Sequence, residues 1–338
     1  MKAIVLTKTG TANKAFEIRE LPIPEIGEND VLIKVAFSGL NFADIMARKG
    51  MYKAAPPIPS VLGYDVSGTI ETIGKNVTGF APGDKVFAIT RFGGYAQYAV
   101  CNAMAVAKIP SNIEIADATA LATQFTTAWF SAAHMVNLTE GDTVLIQAAA
   151  GGVGTALTQY ALHKKCIVFG AVGSDEKVRL IEKAGVHFAI NYRKEKFEEI
   201  VMQKTNGKGI NVIFDAVGGK SVKLGMKSLS AGGIMVCYGA TEMSSGGKIQ
   251  YMKTAIDFGF YNPGLLTLAS KSIIGINMLH IADERPALMK HSLDEVYKLA
   301  EQGIFKPVLG KVFPASDMGA AHAFLESRAS VGKVVVQW

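Results

Sequence analysis

Short apolar segments separated by proline and glycine turns fill the first hundred residues. Each segment is four to eight residues long, and its apolar residues alternate with polar ones or form a short run. This patterning, with turn residues at the segment ends, predicts β-strands. We therefore expect a mostly β lobe, whose predicted strands cover residues 3–6, 16–21, 31–36, 66–73 and 85–89.

A different rhythm follows, in which apolar runs alternate with stretches of helical spacing. Helical periodicity begins at Ile115 and continues to Val136, and a further helix is predicted over 176–184. Strands that alternate with helices favour a doubly wound parallel sheet, so the predicted fold class is α/β. The predicted strands of this sheet cover residues 144–147, 167–169, 187–190, 211–214 and 233–238.

The chain ends with a helix predicted over 288–302 and a strand predicted over 333–337. We expect this last strand to rejoin the β lobe. The predicted organisation is therefore a first domain over 1–124, completed by 285–338, and a second domain over 125–284.

Residues 241–270 form an unusual segment, in which a serine and glycine stretch precedes many large apolar side chains. Core packing is the favoured interpretation of these side chains. A substrate mouth, an oligomer contact and a membrane surface are the alternatives. The large apolar and aromatic residues are Tyr251, Met252, Phe258, Phe260, Tyr261, Leu265, Leu266 and Leu268.

The apolar run at 144–148 is followed by a glycine-rich turn and then by apolar residues at helical spacing. This order predicts a strand, a tight turn and a helix, with the spacing of a dinucleotide-binding turn that has Ala149 in its first position. Gly151 would let the backbone approach a pyrophosphate, Gly152 would relieve the turn, and Gly154 would let the helix pack close to the strand. The N–H groups at the start of such a helix favour an anionic phosphate.

The end of the second predicted strand indicates which nicotinamide cofactor this turn would hold. An NAD-binding unit has Asp or Glu there for the ribose hydroxyls, whereas this chain reads Gly173-Ser174-Asp175-Glu176-Lys177. Ser174 and Lys177 could hold a 2′-phosphate, with Asp175 and Glu176 turned away in the first turn of the next helix. NADPH is therefore favoured over NADH. The alternative is that Ser174 only caps the helix and Lys177 is solvated.

Composition narrows the class of protein. The chain has 338 residues, of which 49% are hydrophobic and 19% charged, as is typical of a globular protein large enough for two domains. Its net charge is +6, but the 35 Lys and Arg residues are dispersed, so a nucleic-acid partner is disfavoured. Three separated cysteines form no C-x-x-C pair, and no apolar run reaches the roughly twenty residues of a membrane span. A soluble protein in reduced, cytoplasmic surroundings is expected.

Several motifs together give the chain a family resemblance. They are Gly39 with Asn41 and Asp44, PSVLGYDVSG at 59–68, Gly83-Asp84 with Val86, AAAGGVG at 148–154, Gly185, Asn191-Tyr192-Arg193, and ESRASVGKVV at 326–335. With these motifs the chain resembles the zinc-independent quinone oxidoreductase branch of the medium-chain dehydrogenase/reductase superfamily. The 241–270 segment and the sequence GINML at 275–279 resemble the subgroup of the synaptic vesicle membrane protein VAT-1.

The resemblance implies a Rossmann domain for the parallel sheet, a GroES-like catalytic domain for the mostly β lobe, and NADPH in the cleft between them. It also implies a homodimer, in which the strands at 272–277 of two chains join edge to edge. The implied cofactor-binding residues are Asn41, Thr127, Ala150, Gly151, Gly152, Val153, Gly154, Ser174, Lys177, Tyr192, Tyr238, Gly239, Ile276, Asn277 and Arg328.

The chain departs from the zinc alcohol dehydrogenases of the same superfamily. Those enzymes place a Cys ligand just before the segment matched by residues 39–44, and a His-Glu pair where this chain has Tyr64 and Asp65. Neither the Cys nor the His is present, and the cysteine-rich structural zinc loop is missing as well. Since zinc needs three or four protein ligands, a mechanism without metal is expected.

Without zinc, hydrogen-bond donors must stabilise the electrons that arrive with a hydride. Asn41, Tyr52 and Tyr64 are the candidate catalytic residues. The predicted activity is reduction of a quinone or an α,β-unsaturated carbonyl by NADPH, and the residues do not choose between these substrates. The alternative is an NADPH-binding interaction protein with little turnover, which contacts a membrane or a partner through the 241–270 segment.

Overall fold

The computed structural model describes residues 1–245 and 248–338, which form two compact units. The first unit contains Met1–Thr126 and Met278–Trp338, and the second contains Thr127–Asn277. The first unit is therefore assembled from both ends of the chain, and the second unit is continuous in sequence.

Strands and helices occur in both units. In chain order the strands are β1 (Lys2–Leu6), β2 (Phe16–Glu20), β3 (Asp30–Leu40), β4 (Ser60–Val61), β5 (Asp65–Ile73), β6 (Lys85–Ile89), β7 (Tyr98–Asn102), β8 (Val106–Lys108), β9 (Thr143–Gln147), β10 (Ile167–Val172), β11 (Phe188–Asn191), β12 (Ile210–Asp215), β13 (Leu229–Cys237), β14 (Ser272–Gly275), β15 (Leu309–Pro314) and β16 (Lys333–Gln337). The α-helices are α1 (Ala12–Ala15), α2 (Phe42–Arg48), α3 (Ile115–Ala120), α4 (Thr126–Trp129), α5 (Gly152–His163), α6 (Asp175–Lys183), α7 (Phe197–Lys204), α8 (Lys220–Ser228), α9 (Lys248–Asp257), α10 (Pro263–Ala269), α11 (Met278–Glu284), α12 (Pro286–Glu301) and α13 (Met318–Glu326). Stretches of π-helix at Leu121–Phe125 and Phe130–Met135 flank α4, and short 3₁₀ turns lie at Ala103–Ala105, Thr241–Ser245 and Ala315–Asp317.

A largely antiparallel sheet forms most of the first unit. Its strand order is β15-β16-β3-β5-β6-β8, with β7 paired to β3 outside this path, and a smaller sheet has the order β2-β1-β4. The C-terminal strand β16 lies antiparallel to β3, with Val335 opposite Gly39. The prediction that the last strand rejoins the β lobe is therefore confirmed. Alternate residues of β3, namely Val31, Ile33 and Val35, are buried in the core of this sheet.

A parallel sheet forms the centre of the second unit. Its order is β11-β10-β9-β12-β13-β14, and each of these pairings is parallel. The order runs outward from β9 in both directions, so the predicted doubly wound fold is confirmed. Val144, Leu145 and Ile146 of β9 are fully buried, as expected for a central strand covered on both faces. The carboxyl ends of β9 and β12 form the switch point at which sheets of this kind bind ligands.

The helices α9 and α10 occupy most of the 241–270 segment, of which Gly246 and Gly247 lie outside the described residues. Phe258, Tyr261 and Leu266 pack against the core of the parallel sheet. Core packing is wrong for five other large apolar side chains, which are exposed at the surface of the second unit. The exposed fractions are 64% for Met252, 65% for Ile256, 94% for Phe260, 67% for Leu265 and 85% for Leu268. Within 1–245 and 248–338, no helix has the length and apolar character needed to cross a membrane.

Gly154 lies where α5 packs closely on the end of β9. A Cβ atom at this position would lie 2.4 Å from the carbonyl oxygen of Ala148 and 2.7 Å from the Cα of Ala149. The close approach of helix and strand therefore requires glycine, as the turn motif predicts.

We expect Gly154→Ala to push α5 away from the strand and to lower the free energy of unfolding by about 1–3 kcal/mol, measured in urea. Gly151→Ala is the matched control. Its backbone φ is −77°, and its Cβ would meet only the Ala148 carbonyl oxygen, at 3.2 Å. This control should unfold close to the wild-type midpoint, and equal midpoints for the two variants would contradict the packing argument.

Candidate active site

A buried polar cluster joins three strands of the first unit. The Asn41 side chain donates from Nδ2 to Oδ2 of Asp65 at 2.7 Å and accepts at Oδ1 from the Lys333 ammonium at 3.0 Å. Lys333 also forms an ion pair with Oδ2 of Asp65, and the Thr123 hydroxyl donates to Oδ1 of the same carboxylate. The side chains of Lys333 and Asp65 are both fully buried. Each charge is thus neutralised and hydrogen-bonded by the other, as ions buried away from water require.

The sequence makes room for this cluster at Gly39. A Cβ at that position would lie 2.4 Å from Cε of Lys333 and 2.9 Å from Cβ of Asp65. Glycine therefore lets the lysine side chain lie flat on β3. Sequence reasoning missed Lys333 and Thr123, although Lys333 belongs to the motif at 326–335.

Asn41 precedes α2, and its backbone N–H donates to Oδ2 of Asp44 at 2.8 Å. Asp44 is fully buried, and this burial raises the pKa of its carboxyl to about 7. The backbone hydrogen bond from Asn41 opposes the shift, the Asp65 charge adds to it, and the Lys333 charge lowers it. Asn41, which precedes the first residue of α2, therefore links this helix to the buried ion pair of Lys333 and Asp65.

Two phenols and a phenylalanine form an aromatic cluster in the same unit. The ring centroids of Tyr52 and Tyr64 are 6.4 Å apart with an edge-to-face angle of 85°, and those of Tyr64 and Phe92 are 4.9 Å apart. Burial raises the pKa of both tyrosines, and the Asp44 carboxylate raises that of Tyr64 further. Both phenols are therefore protonated at neutral pH and can donate hydrogen bonds. In the described part of the chain, the buried hydroxyl of Tyr64 makes no hydrogen bond of normal geometry.

Phe92 is a residue that sequence reasoning missed. Its φ is +72°, a left-handed conformation that bulky residues seldom adopt, and it is followed by Gly93 with a φ of +80°. The N–H of Gly93 donates to the carbonyl oxygen of Val61 at 3.0 Å, which anchors the loop. Strain of this kind is frequent at functional sites, and the Phe92 ring packs against that of Tyr64. The neighbouring pair of glycines was the available sequence signal.

The glycine-rich turn has the predicted order of strand, turn and helix. β9 ends at Gln147, α5 begins at Gly152, and the N–H of Gly151 donates to the carbonyl oxygen of Ala148 at 2.8 Å. Ala148 has a φ of +54°, which turns the chain sharply at the end of the strand. The predicted pyrophosphate residues Ala150, Gly151, Gly152, Val153 and Gly154 thus all lie at the junction where helix N–H groups are available to an anion.

The residues predicted to select the 2′-phosphate lie at the ends of the neighbouring strands β10 and β11. Ser174 caps α6 by accepting from the backbone N–H of Lys177 at 3.3 Å. The Tyr192 hydroxyl covers Gly173 so closely that a Cβ there would lie 2.6 Å from it, and 3.6 Å from Nε of Arg193. Burial lowers the pKa of the Lys177 ammonium, and the nearby charge of Arg193 lowers it further against the opposing effect of Glu176.

As predicted, the two acidic residues beside this site belong to the helix that follows the strand. Asp175 and Glu176 occupy the first turn of α6. The Asp175 carboxylate accepts from Nδ2 of Asn191 at 2.7 Å and from the Lys194 ammonium at 2.5 Å. Arg193 is an additional cation near Lys177 that sequence reasoning passed over, although it stands next to Tyr192 in the family motif.

Comparisons with known proteins give the family. Two family profiles match the chain: the alcohol dehydrogenase GroES-like domain over residues 27–111, and zinc-binding dehydrogenase over residues 184–336. Quinone oxidoreductase-like protein 2 of Mus musculus is 30% identical over 320 residues, which cover 94% of this chain and 88% of that protein. The chain belongs to the medium-chain dehydrogenase/reductase superfamily.

Two further members of the superfamily support this placement. The synaptic vesicle membrane protein VAT-1 homolog of Danio rerio is 29% identical over 339 residues, which cover 99% of this chain and 69% of that protein. The crystal structure of Escherichia coli quinone oxidoreductase complexed with NADPH is 26% identical, has a TM-score of 0.87 and covers 100% of both chains. The predicted family, close to the quinone oxidoreductase-like and VAT-1 members, and the predicted fold class are therefore confirmed. The parallel sheet is the Rossmann domain of the superfamily, and the β-rich unit is its GroES-like domain.

The residues of this superfamily member do not fit a catalytic zinc ion, even though one matching profile is that of zinc-binding dehydrogenases. Among the described residues, no group of three or more His, Cys, Asp or Glu side chains could hold a metal. At the positions compared with the zinc enzymes, Tyr64 stands in place of His, and both oxygens of Asp65 are engaged by Lys333, Asn41 and Thr123. The buried ammonium of Lys333 therefore lies next to the Asp65 carboxylate.

The other predicted cofactor residues are distributed over both units. Thr127 is buried in α4 at the start of the second unit. Tyr238 and Gly239 follow β13, and Ile276 and Asn277 follow β14, so these four residues lie at the carboxyl edge of the parallel sheet, as does the glycine-rich turn. Asn41, Tyr52, Tyr64 and Arg328 belong to the first unit, where Arg328 lies on the turn after α13 with a φ of +61°.

The buried Asp44 carboxyl predicts a dependence of stability on pH. Its pKa is about 7 in the folded protein and 3.8 in the unfolded chain, so the folded protein keeps a proton that the unfolded chain loses. The stability contributed by the neutral carboxyl is complete below pH 3.8 and is lost as the pH rises through 7. Asp44→Asn keeps the cap and removes this titration. As the pH rises from 5 to 8, we expect the unfolding free energy of the wild type to fall by about 2–3 kcal/mol relative to that of Asp44→Asn.

Urea unfolding of both proteins across this pH range measures the effect, and other titrating groups cancel in the difference. Asp84→Asn is the control, since hydrogen bonds with Lys108 and the backbone of Ala81 lower the pKa of Asp84. Asp84 is therefore ionised throughout the range, and its variant should differ from the wild type by a constant amount. A constant difference for Asp44→Asn as well would show that this carboxyl does not titrate near pH 7.

Proposed function

We propose that this protein is an NADPH-dependent oxidoreductase that transfers hydride to quinones or α,β-unsaturated carbonyls without a metal. The observation that carries the proposal is that the cations Lys177 and Arg193 lie near each other, with Arg193 next to Gly173 after the end of β10. A 2′-phosphate there would receive charge-assisted hydrogen bonds, and the neighbouring Asp175 carboxylate is held by Asn191 and Lys194. The names of the relatives, quinone oxidoreductases at about 30% identity, support the same class of reaction.

The cofactor would be held along the carboxyl edge of the parallel sheet. In this proposal the backbone N–H groups of Gly151, Gly152 and Val153 bind the pyrophosphate, and Ser174, Lys177 and Tyr192 bind the 2′-phosphate. Bound NADPH supplies the hydride from C4 of its nicotinamide ring. The residues proposed to contact the nicotinamide half and the C-terminal tail are Thr127, Tyr238, Gly239, Ile276, Asn277 and Arg328.

The chemistry assigned to the first unit is hydrogen bonding to the substrate oxygen. The phenols of Tyr52 and Tyr64 are protonated at neutral pH, burial raises their pKa further, and the Asn41 amide offers a further N–H. Such donors stabilise the negative charge that grows on a carbonyl oxygen as hydride arrives. Reduction of a quinone needs little more, because its product anion is aromatic, whereas an enolate must also gain a proton from a phenol or from water.

A homodimer completes the proposal. β14 is the edge strand of the parallel sheet, and among the described strands it pairs with β13 alone. An edge of unpaired N–H and C=O groups can add a second copy of the same strand. Joining two chains through residues 272–277 would extend the sheet across both molecules. A cytoplasmic location, expected from the three separated cysteines, remains a prediction.

The exposed apolar side chains between residues 252 and 268 favour a second candidate function. Phe260 and Leu268 are 94% and 85% exposed, and such apolar exposure is more typical of a contact surface than of a monomer's free face. The second candidate is an NADPH-binding protein with little turnover, which docks on a membrane or partner through this surface.

Turnover tests the proposal against this second candidate. We expect the purified protein to oxidise NADPH in the presence of quinones or enones, and to do so much more slowly with NADH, because NADH lacks the 2′-phosphate. The measurement is the loss of nicotinamide absorbance over a panel of both substrate classes, with and without a chelator. Tight NADPH binding without turnover on any member of the panel would favour the second candidate.

Lys177→Ala tests the cofactor assignment directly. One charge-assisted contact to phosphate is worth roughly 1.5–3 kcal/mol, so the dissociation constant for NADPH should rise about 10- to 100-fold and that for NADH should change little. Titration of nucleotide fluorescence measures both constants. Lys183→Ala, in the last turn of the same helix, is the control and should leave both unchanged. Equal weakening of NADPH and NADH by Lys177→Ala would refute the assignment.

A further inference from the structure

The Asn41 side chain lies between two buried charges of opposite sign. Its Oδ1 accepts from the Lys333 ammonium at 3.0 Å, and its Nδ2 donates to the Asp65 carboxylate at 2.7 Å. Rotation of the amide by half a turn would place its oxygen against the carboxylate and its N–H groups against the ammonium. Both new contacts would be repulsive, so the two charges determine one orientation of the amide.

This orientation leaves one N–H of the amide for another partner. An Asn side chain has two N–H donors, and Asp65 takes one of them. Within the described residues, the second N–H of Asn41 makes no hydrogen bond. The ammonium also withdraws electron density from the amide oxygen, which makes the remaining N–H a stronger donor.

We propose that Lys333, together with Asp65, is a positioning residue that holds the Asn41 amide so that its second N–H donates to the substrate carbonyl oxygen. This inference rests on the proposed function, since it assigns a role in hydride transfer to a carbonyl. It also gives a role to the Lys333 ammonium, which lies where the residues do not fit a zinc ion. In this role the ammonium acts on the substrate through the Asn41 amide and does not contact the substrate itself.

The test removes both charges together. Loss of Lys333 alone would leave the Asp65 carboxylate buried without its ion partner, which is strongly destabilising. The double variant Lys333→Met with Asp65→Asn is neutral and similar in volume, and replacements of this kind often preserve stability. We expect its kcat to fall about tenfold or more, while its melting temperature stays close to that of the wild type.

The effect of Asn41→Ala in the two backgrounds distinguishes a positioning role of Lys333 and Asp65 from a purely structural one. Asn41→Ala should lower kcat strongly in the wild type and add little in the double variant, because the amide there has already lost its orientation. Equal losses in the two backgrounds would overturn the proposal. The control is Arg48→Met with Glu326→Gln, which removes another ion pair of the same unit, and this pair forms no hydrogen bond with Asn41. It should leave the effect of Asn41→Ala unchanged.

A measurement without turnover distinguishes failure of this inference from failure of the proposed function. The side-chain amide of Asn41, assigned in nitrogen-edited NMR spectra by its absence in Asn41→Ala, should show one slowly exchanging proton in the wild type and not in the double variant. Rapid exchange of both protons in the wild type would overturn the positioning role. A protected proton in a protein that reduces no quinone or enone would support the positioning and overturn the proposed function.

Discussion

The buried ammonium of Lys333 joins segments that lie far apart along the chain. Lys333 opens the C-terminal strand β16, Asn41 follows β3, and Asp65 opens β5, so one side chain connects the middle of the antiparallel sheet to the start of α2. Neither charge of the ion pair reaches water, and each is stable in the core only because the other is present. The candidate site is therefore complete only when the C-terminal strand has returned to the first unit.

A site that stabilises charge with hydrogen bonds needs donors that are fixed in position. A metal ion polarises a carbonyl oxygen over a range of geometries, whereas N–H and O–H donors must already point to where charge develops. Burial in the same unit raises the pKa of the Tyr52 and Tyr64 phenols, which donate hydrogen bonds at neutral pH. It also raises the pKa of Asp44, whose neutral form relieves the core of one charge. Packing and electrostatics thus act together on the same few side chains.

In the second unit, charges of the same sign lie near each other, in contrast to the ion pair of the first unit. The cations Lys177 and Arg193 lie near each other, and the neighbouring Asp175 carboxylate is engaged by Asn191 and Lys194. Burial and the neighbouring charge of Arg193 lower the pKa of Lys177 and so disfavour its charged form. A dianionic phosphate would favour the charged form of Lys177 and so offset both effects, which is the physical basis of the proposed preference for NADPH. The glycine-rich turn adds only backbone donors and is consistent with either nicotinamide cofactor.

The sequence by itself determined the elements whose signals are local. The apolar run of β9, the glycine turn after it and the first turn of α6 are each encoded within a few residues, so the parallel sheet and the position of Asp175 were predictable. Only the tertiary structure decided the partners of Asn41, because Lys333 lies 292 residues away and a lysine in a sequence is expected to be solvated. It also decided which apolar residues of α9 and α10 face water. Helices and turns follow from nearby hydrogen bonds, whereas a buried ion pair depends on contacts that exist only after distant strands have packed together.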